Sequence, residues 1–131
     1  MADSTNRPIL DTITEQEKAD GKVMAILAYI GILFVIPLFT SKTNKFVMFH
    51  VEQGIALFIA WFAVRIVFIF LDPIFYKMIS VTIPCGGSII GSIISLLLFI
   101  LMIMGILNAA GGKVQQLPVI GSFGEKFNLV K

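Results

Sequence analysis

Residues 88–107 read SIIGSIISLLLFILMIMGIL, twenty residues without a charge. As a helix they reach about 30 Å, the thickness of a bilayer's hydrocarbon core. The stretch therefore predicts a transmembrane helix. Asn108-Ala109-Ala110-Gly111-Gly112-Lys113 follows it with helix-stop chemistry. Upstream, Pro84-Cys85-Gly86-Gly87 predicts a turn. Residues 74–85, IFYKMISVTIPC, are apolar but too short to span, and Ile74, Phe75, Met78, Ile79 and Ile83 share one helical face. A short interfacial helix is the natural expectation there.

Further upstream a second apolar segment covers residues 46–71. Its opening, FVMFHVEQ, mixes aromatics with His50, Glu52 and Gln53 and is expected in the headgroup layer. Residues 54–71 are apolar except for Arg65, and Asp72-Pro73 is expected to stop the helix because the residue before a proline is pushed away from helical geometry. A polar link, residues 40–45, separates this segment from a third, VMAILAYIGILFVIPLF at 23–39. Those seventeen residues reach roughly 25 Å, enough to cross. Thr14 followed by Glu17 reads as a capping box, and Gly21 as the weak point between a surface helix and the span.

Composition agrees with this reading. Of 131 residues, 57% are hydrophobic and 14% charged, and mean hydropathy is +0.95. Soluble domains run at roughly 45–50% apolar and about 25% charged, and disordered chains are more polar still. The net charge of +2 comes from scattered cations, which excludes a nucleic-acid surface. Cys85 is the single cysteine, so an intramolecular disulfide and a multi-cysteine metal site are excluded. Five acidic residues precede Val23, unlike a signal peptide.

The fold expectation is thus an all-α, polytopic membrane protein with three transmembrane helices, at about 23–39, 51–71 and 88–107, plus short interfacial helices. Residues 1–22 form a polar tail with a short surface helix, 23–112 the transmembrane domain, and 113–131 a membrane-associated tail held down by Val119, Ile120, Phe123 and Phe127. Three spans put the termini on opposite faces. Arg7, Lys18, Lys22 and Lys77 then face Lys42, Lys45, Lys113, Lys126 and Lys131 across the bilayer, which is no real bias, and the acidic N-terminal tail favours that end outside.

Arg65 stands out, because an arginine inside a span costs from ~2.5 kcal/mol upward. It lies seven residues before Asp72, about 10 Å below that face. Three straight helices would bring Tyr29, Ser92 and Ser95 to the same level, with Trp61 one turn away. A buried polar cluster of Tyr29, Arg65, Ser92 and Ser95, snorkelling toward Asp72, and a transport role all remain open. Gly87, Gly91 and Ser95 recur every four residues, a spacing that lets helix backbones approach within the monomer or across a dimer. His50 and Gln53 share a helical side while Glu52 points elsewhere. One histidine and one glutamate make no zinc site, and no nucleophile or glycine-rich phosphate loop is set up. The expectation is a protein without catalysis, metal or cofactor.

Two stretches go beyond composition. AYIGILFVIPLFTSKTNKFVMFHVEQGIALF at 28–58 and GILNAAGGKVQQLPVIGSFGEKF at 105–127 resemble the opening and closing motifs of a widespread family of small bacterial and archaeal membrane proteins. That family is similar to the twenty-kilodalton Tic subunit of the chloroplast inner-envelope protein import machinery. The resemblance implies a helical integral membrane protein and a four-span relative inside a protein-conducting complex; this sequence offers three spans. The motifs fall on Asn44, Lys45, Phe46, Phe49, His50, Gln53 and Gly54, then Gly105, Asn108, Pro118, Gly121 and Phe127. These residues are expected to form a structured interface where the first span's end, the second's start and the tail meet. The functional expectation is a subunit or partner of a membrane transport or protein-translocation assembly in a prokaryotic cell membrane. The alternatives are a small oligomeric channel or carrier, or a regulatory membrane protein. The expected partners are the lipid bilayer and a second copy or another membrane protein.

Overall fold

The structure, a computed structural model, describes residues 8–79 and 89–130; the side chains of 75–79 lie outside that description. A 3-10 turn at Pro8–Thr12 leads into helix α1, Glu15–Leu27. Thr14 caps α1 reciprocally: its hydroxyl accepts from the Glu17 N–H at 3.1 Å, and the Glu17 carboxylate accepts from the Thr14 N–H at 3.0 Å. The helix runs unbroken through Gly21. That residue is a close-packing point, since a Cβ there would lie 2.4 Å from a Val47 methyl and 2.7 Å from the Asn44 amide.

The break comes later, at 28–31. Gly31 adopts φ +51°, a left-handed conformation that turns the chain aside. A 3-10 turn, Gly31–Phe34, and helix α2, Val35–Thr40, carry it back toward the polar link. Helix α3, Lys45–Ile79, then runs the length of the molecule, and α4, Ile89–Ala110, returns alongside it. The tail adds a short helix α5, Gly121–Gly124, and a 3-10 turn, Glu125–Phe127.

Two contacts fix the path of α1. Gly21 meets Asn44 and Val47, and the Ala28 carbonyl meets Gly54, where a Cβ would fall 1.9 Å from it. Helix α1 therefore runs parallel to the first turns of α3. The Phe34 ring reaches Phe58 at 5.4 Å between centroids, so the chain dips about 20 Å along α3 before α2 climbs back. Residues 23–39 thus fold back beside α3, and the single straight helix expected there is not formed. Ala28 and Tyr29 at the break are buried, as is Pro37 beyond it, while Ile30 and Gly31 are exposed.

Two described helices are long and apolar enough to cross a bilayer, Lys45–Ile74 and Ile89–Ala110, so the structure supplies two such helices where the sequence predicted three. Pro73 does not stop α3, which continues through it to Ile79. Residues 74–79 therefore extend α3 instead of opening a separate interfacial helix. The turn at 84–87, with Cys85, lies outside the described residues.

The core is confined to one end. Residues 46–54 of α3 are buried without interruption. Leu10, Ala28, Val47, Met48, Phe49, Val51 and Val130 form one buried cluster, and Ala25, Tyr29, Phe46, Leu57, Leu98, Ala109 and Leu117 a second. Beyond Leu57 the two long helices expose apolar side chains, among them Phe62, Ile69, Phe70, Ile93 and Leu96. The molecule is a packed collar at one end of a two-helix hairpin.

Candidate functional site

The collar is organised by polar side chains that α3 carries inside it. Asn44 is its N-cap, accepting the Val47 N–H at 3.1 Å while donating to the Glu17 carbonyl at 2.8 Å. Glu17 also accepts the Lys45 N–H at 3.2 Å, and the Lys45 ammonium reaches the Thr12 hydroxyl at 3.0 Å. The hydrogen bond from the Thr14 amide, more than that from Lys45, holds the Glu17 carboxyl below its ordinary range. The start of α3 and the start of α1 are thereby locked together.

His50, Glu52 and Gln53 are each fully buried. His50 Nε2 lies 3.0 Å from the Lys113 carbonyl, so that nitrogen carries the proton. Its Nδ1 then accepts from the Tyr29 hydroxyl at 2.7 Å. Phe46, Phe49 and Tyr29 meet the imidazole edge to face, at 4.7, 5.2 and 5.6 Å between centroids. Gln53 donates to the Gly121 carbonyl at 3.1 Å and accepts the Leu117 N–H at 3.0 Å. One Glu52 carboxylate oxygen accepts the amides of Leu129 and Val130. Three side chains within one turn of α3 therefore hold the C-terminal tail at its start, middle and end. Each tail amide or carbonyl they bind would otherwise be a buried polar group without a partner, at a cost of about 1–3 kcal/mol.

The tail fits because it carries glycine at the close approaches. A Cβ on Gly121 would lie 2.8 Å from the Gln53 amide oxygen, and one on Gly124 2.7 Å from the Glu52 carbonyl. Helix α4 ends in a two-bond cap that aims Lys113 at His50. Lys113 N–H reaches the Asn108 carbonyl at 2.8 Å and Gly112 N–H the Ala109 carbonyl at 3.2 Å, with Gly112 at φ +68°. The Tyr29 ring packs against Gly105, whose Cβ would fall 2.3 Å from it.

The structure gathers Asn44, Lys45, Phe46, Phe49, His50 and Gln53 into this collar, with Asn108 at its edge through its backbone. Of the expected cluster it brings Tyr29 and Ser95 to one cleft, and leaves Arg65 and Ser92 outside that lining. Tyr29 serves His50, fifteen residues before Arg65 on α3, about 22 Å by helical rise. Arg65 and Ser92 are exposed and Ser95 is half-buried. The cluster required three straight helices, and the break at 28–31 removes one of them. Of the small-residue stripe, Gly91 and Ser95 are half-buried, and Gly87 lies outside the described residues. Glu52 was the residue that helical-face reasoning missed. It does point away from His50 and Gln53, but toward the final tail residues instead of outward. A charged residue beside His50 and Gln53, in a stretch otherwise made of aromatics and Val47, Met48 and Val51, was the available signal.

Chemically the clasp is closed. Both imidazole nitrogens are engaged with protein groups, and one Glu52 oxygen holds two backbone amides. Among the described residues no group of three His, Cys, Asp or Glu could hold a metal ion. The arrangement supports tail anchoring, which is a structural task.

No family model matches the chain, and no solved structure matches it. Among curated proteins it is similar to magnetosome protein MamF of Paramagnetospirillum magneticum, 28% identical over 101 residues, 77% of this chain and 79% of the relative. MamF of Magnetospirillum gryphiswaldense is 25% identical over 112 residues, 86% of this chain and 89% of the relative. The UPF0132 membrane protein MJ1443 of Methanocaldococcus jannaschii is 33% identical over 113 residues, 86% of this chain and 88% of the relative. On a match of that identity and coverage the chain belongs to the UPF0132 family of small prokaryotic membrane proteins.

Proposed function

We propose that the protein is a non-enzymatic subunit or docking partner of a membrane assembly, with the collar as its structured contact surface. The observation that carries this reading is the clasp. Buried His50, Glu52 and Gln53 are committed to fixing a tail that exposes Val119, Phe123 and Phe127 among polar residues such as Gln115, Ser122 and Lys126. Val119 is 92% exposed at φ 69°, in a tight turn closed by Ile120 N–H to the Pro118 carbonyl at 2.8 Å. A β-branched residue in that conformation is strained, and strain held at an exposed apolar tip suits a contact surface. The resemblance to the Tic-type import subunit points in the same direction, toward transport or translocation.

In this reading both long helices cross the membrane and the collar lies on one face. Lys18, Lys22, Lys42, Lys45, Lys113 and Lys126 then share that face, and Lys77 belongs to the other. The positive-inside rule makes the collar cytoplasmic. This replaces the undecided balance of a three-span chain. Relatives named for a magnetosome and simply for a membrane support a shared membrane architecture more than a shared compartment, so the cell membrane is part of the proposal.

Purification of the tagged chain in mild detergent, with mass read by light scattering, tests the reading. A second membrane protein in fixed ratio, released by Val119→Asp without loss of helicity, is the expected result. A chain that purifies alone, or only as its own oligomer, would contradict it and favour the self-contained channel or carrier.

A further inference from the structure

Below the collar the chain has turned aside after α1, and among the described residues no third helix lies between α3 and α4. The gap is a cleft of about 450 Å³, a volume that suits a small apolar ligand. Tyr29 and Gly31 roof it, Phe58 and Trp61 of α3 form one wall, and Ser95 and Leu98 belong to the other, on α4. The Ser95 hydroxyl, the Trp61 indole N–H and the Tyr29 hydroxyl are the polar side-chain groups among these lining residues, and the Tyr29 hydroxyl is engaged by His50. The cleft lies within the stretch of two helices apolar enough to span, and Trp61 and Phe99 on its lining are about half exposed. It opens to the bilayer.

One cation continues the same wall. Gly54, Phe58, Trp61 and Arg65 succeed one another by four, three and four residues, a single stripe along α3. Arg65 is thus one turn past the cleft, exposed among Phe62, Ile66 and Ile69. Side chains on a helix lean toward its N-terminus, which carries the guanidinium toward Trp61 and the cleft and away from the far surface. A cation at that depth on a lipid-exposed surface calls for an anion from the membrane itself.

We propose that the cleft and Arg65 form a binding site for one acidic phospholipid. An acyl chain fills the cleft against Phe58, Trp61 and Leu98, and the headgroup phosphate is drawn down onto the guanidinium. Charge complementarity chooses this occupant over α4 of a second copy, which carries no acidic residue. Guanidinium is suited to the role because its planar fork binds phosphate oxygens in pairs.

Trp61, the chain's only tryptophan, reports on the site. The full chain is reconstituted in phosphatidylcholine bilayers containing a small, equal fraction of either phosphatidylglycerol or phosphatidylcholine with brominated acyl chains, which quench tryptophan on contact. The expected result is an enrichment of brominated phosphatidylglycerol around Trp61 of roughly fivefold. Arg65→Lys keeps a preference, Arg65→Gln erases it, and Ser95→Phe, which fills the cleft, lowers quenching by phosphatidylglycerol to the phosphatidylcholine level. Added inorganic phosphate leaves the preference intact. Equal quenching by the two lipids in the unaltered chain overturns the proposal without recourse to any variant. So does a preference that survives Arg65→Gln, or one that free phosphate abolishes.

Discussion

The first third of α3 and the remainder of the same helix obey different rules. From Phe46 to Gly54 every residue is buried, and His50, Glu52 and Gln53 are polar groups with named partners. From Ile59 to Ile74 most side chains are exposed and nearly all are apolar. In the collar, polar partners and close backbone approaches specify one arrangement, and water supplies a hydrophobic driving force. Along the hairpin, lipid is as apolar as the side chains, so packing alone acts and specification is weaker. A substitution should therefore cost much in the collar and little along the hairpin.

The largest effect is expected at Gly54. Gly54→Ala places a methyl 1.9 Å from the Ala28 carbonyl, a backbone atom that cannot swing aside. Overpacking typically costs about 1–3 kcal/mol and here should exceed that, because α1 must leave α3. Thermal unfolding in detergent should show a transition lowered by many degrees, or no folded protein. An unchanged transition would mean that α1 does not cross α3 at this point. Gln53→Leu comes next. It leaves the Leu117 amide and the Gly121 carbonyl buried without partners, for a loss of about 2–4 kcal/mol. Limited proteolysis should then release the tail after Lys113 before the rest of the chain is cut. Simultaneous loss of both parts would show that the clasp does not act as a separate unit.

Tyr29→Phe removes one hydrogen bond to His50 but keeps the ring on Gly105, so about 1 kcal/mol is expected. At the other pole, Phe70→Ala on the hairpin removes a side chain that is 71% exposed, and its effect should lie within ~0.5 kcal/mol. A larger loss at Phe70 than at Tyr29 would reverse the comparison between the two regions. The smallest expected effect is electrostatic. Glu17 is held below the ordinary carboxylate range, so the stability it contributes is present at and above that range. That contribution fades as pH falls through the depressed value. Stability measured between neutral and acidic pH should fall less steeply in Glu17→Gln than in the parent. Identical slopes would mean that the bond to the Thr14 amide does not bias the carboxylate.

The sequence announced some of this clearly. Residues 88–107 and α4, Ile89–Ala110, nearly coincide, because a long uncharged run admits one reading. Thr14 and Glu17 announced the start of α1 through a local motif. The collar residues from Asn44 to Gln53 stood out by resemblance, though their partners did not. Those partners are mostly backbone groups of the tail, and a backbone amide leaves no mark in a sequence. The break at 28–31 was hidden for a related reason. Uniform hydropathy across 23–39 reports that the segment avoids water, whether it crosses a bilayer or folds back inside it. Gly31 was the single local sign. The straight first span followed the hydropathy and is not formed; Tyr29 still reaches the level of Ser95, but Arg65 lies outside the cleft that those two line.

If the first apolar segment folds back and the two long helices cross the bilayer, α1 and the C-terminal tail lie on the same side of the membrane. Replacing Cys85 by serine removes the only native thiol, after which single cysteines can be placed at exposed Gln16 on α1 and exposed Lys126 on the tail. Intact cells and inverted vesicles are then treated with a membrane-impermeant maleimide. Labelling of both positions in inverted vesicles and of neither in intact cells is the predicted result. Labelling of one position from each side would restore the third span and contradict the account.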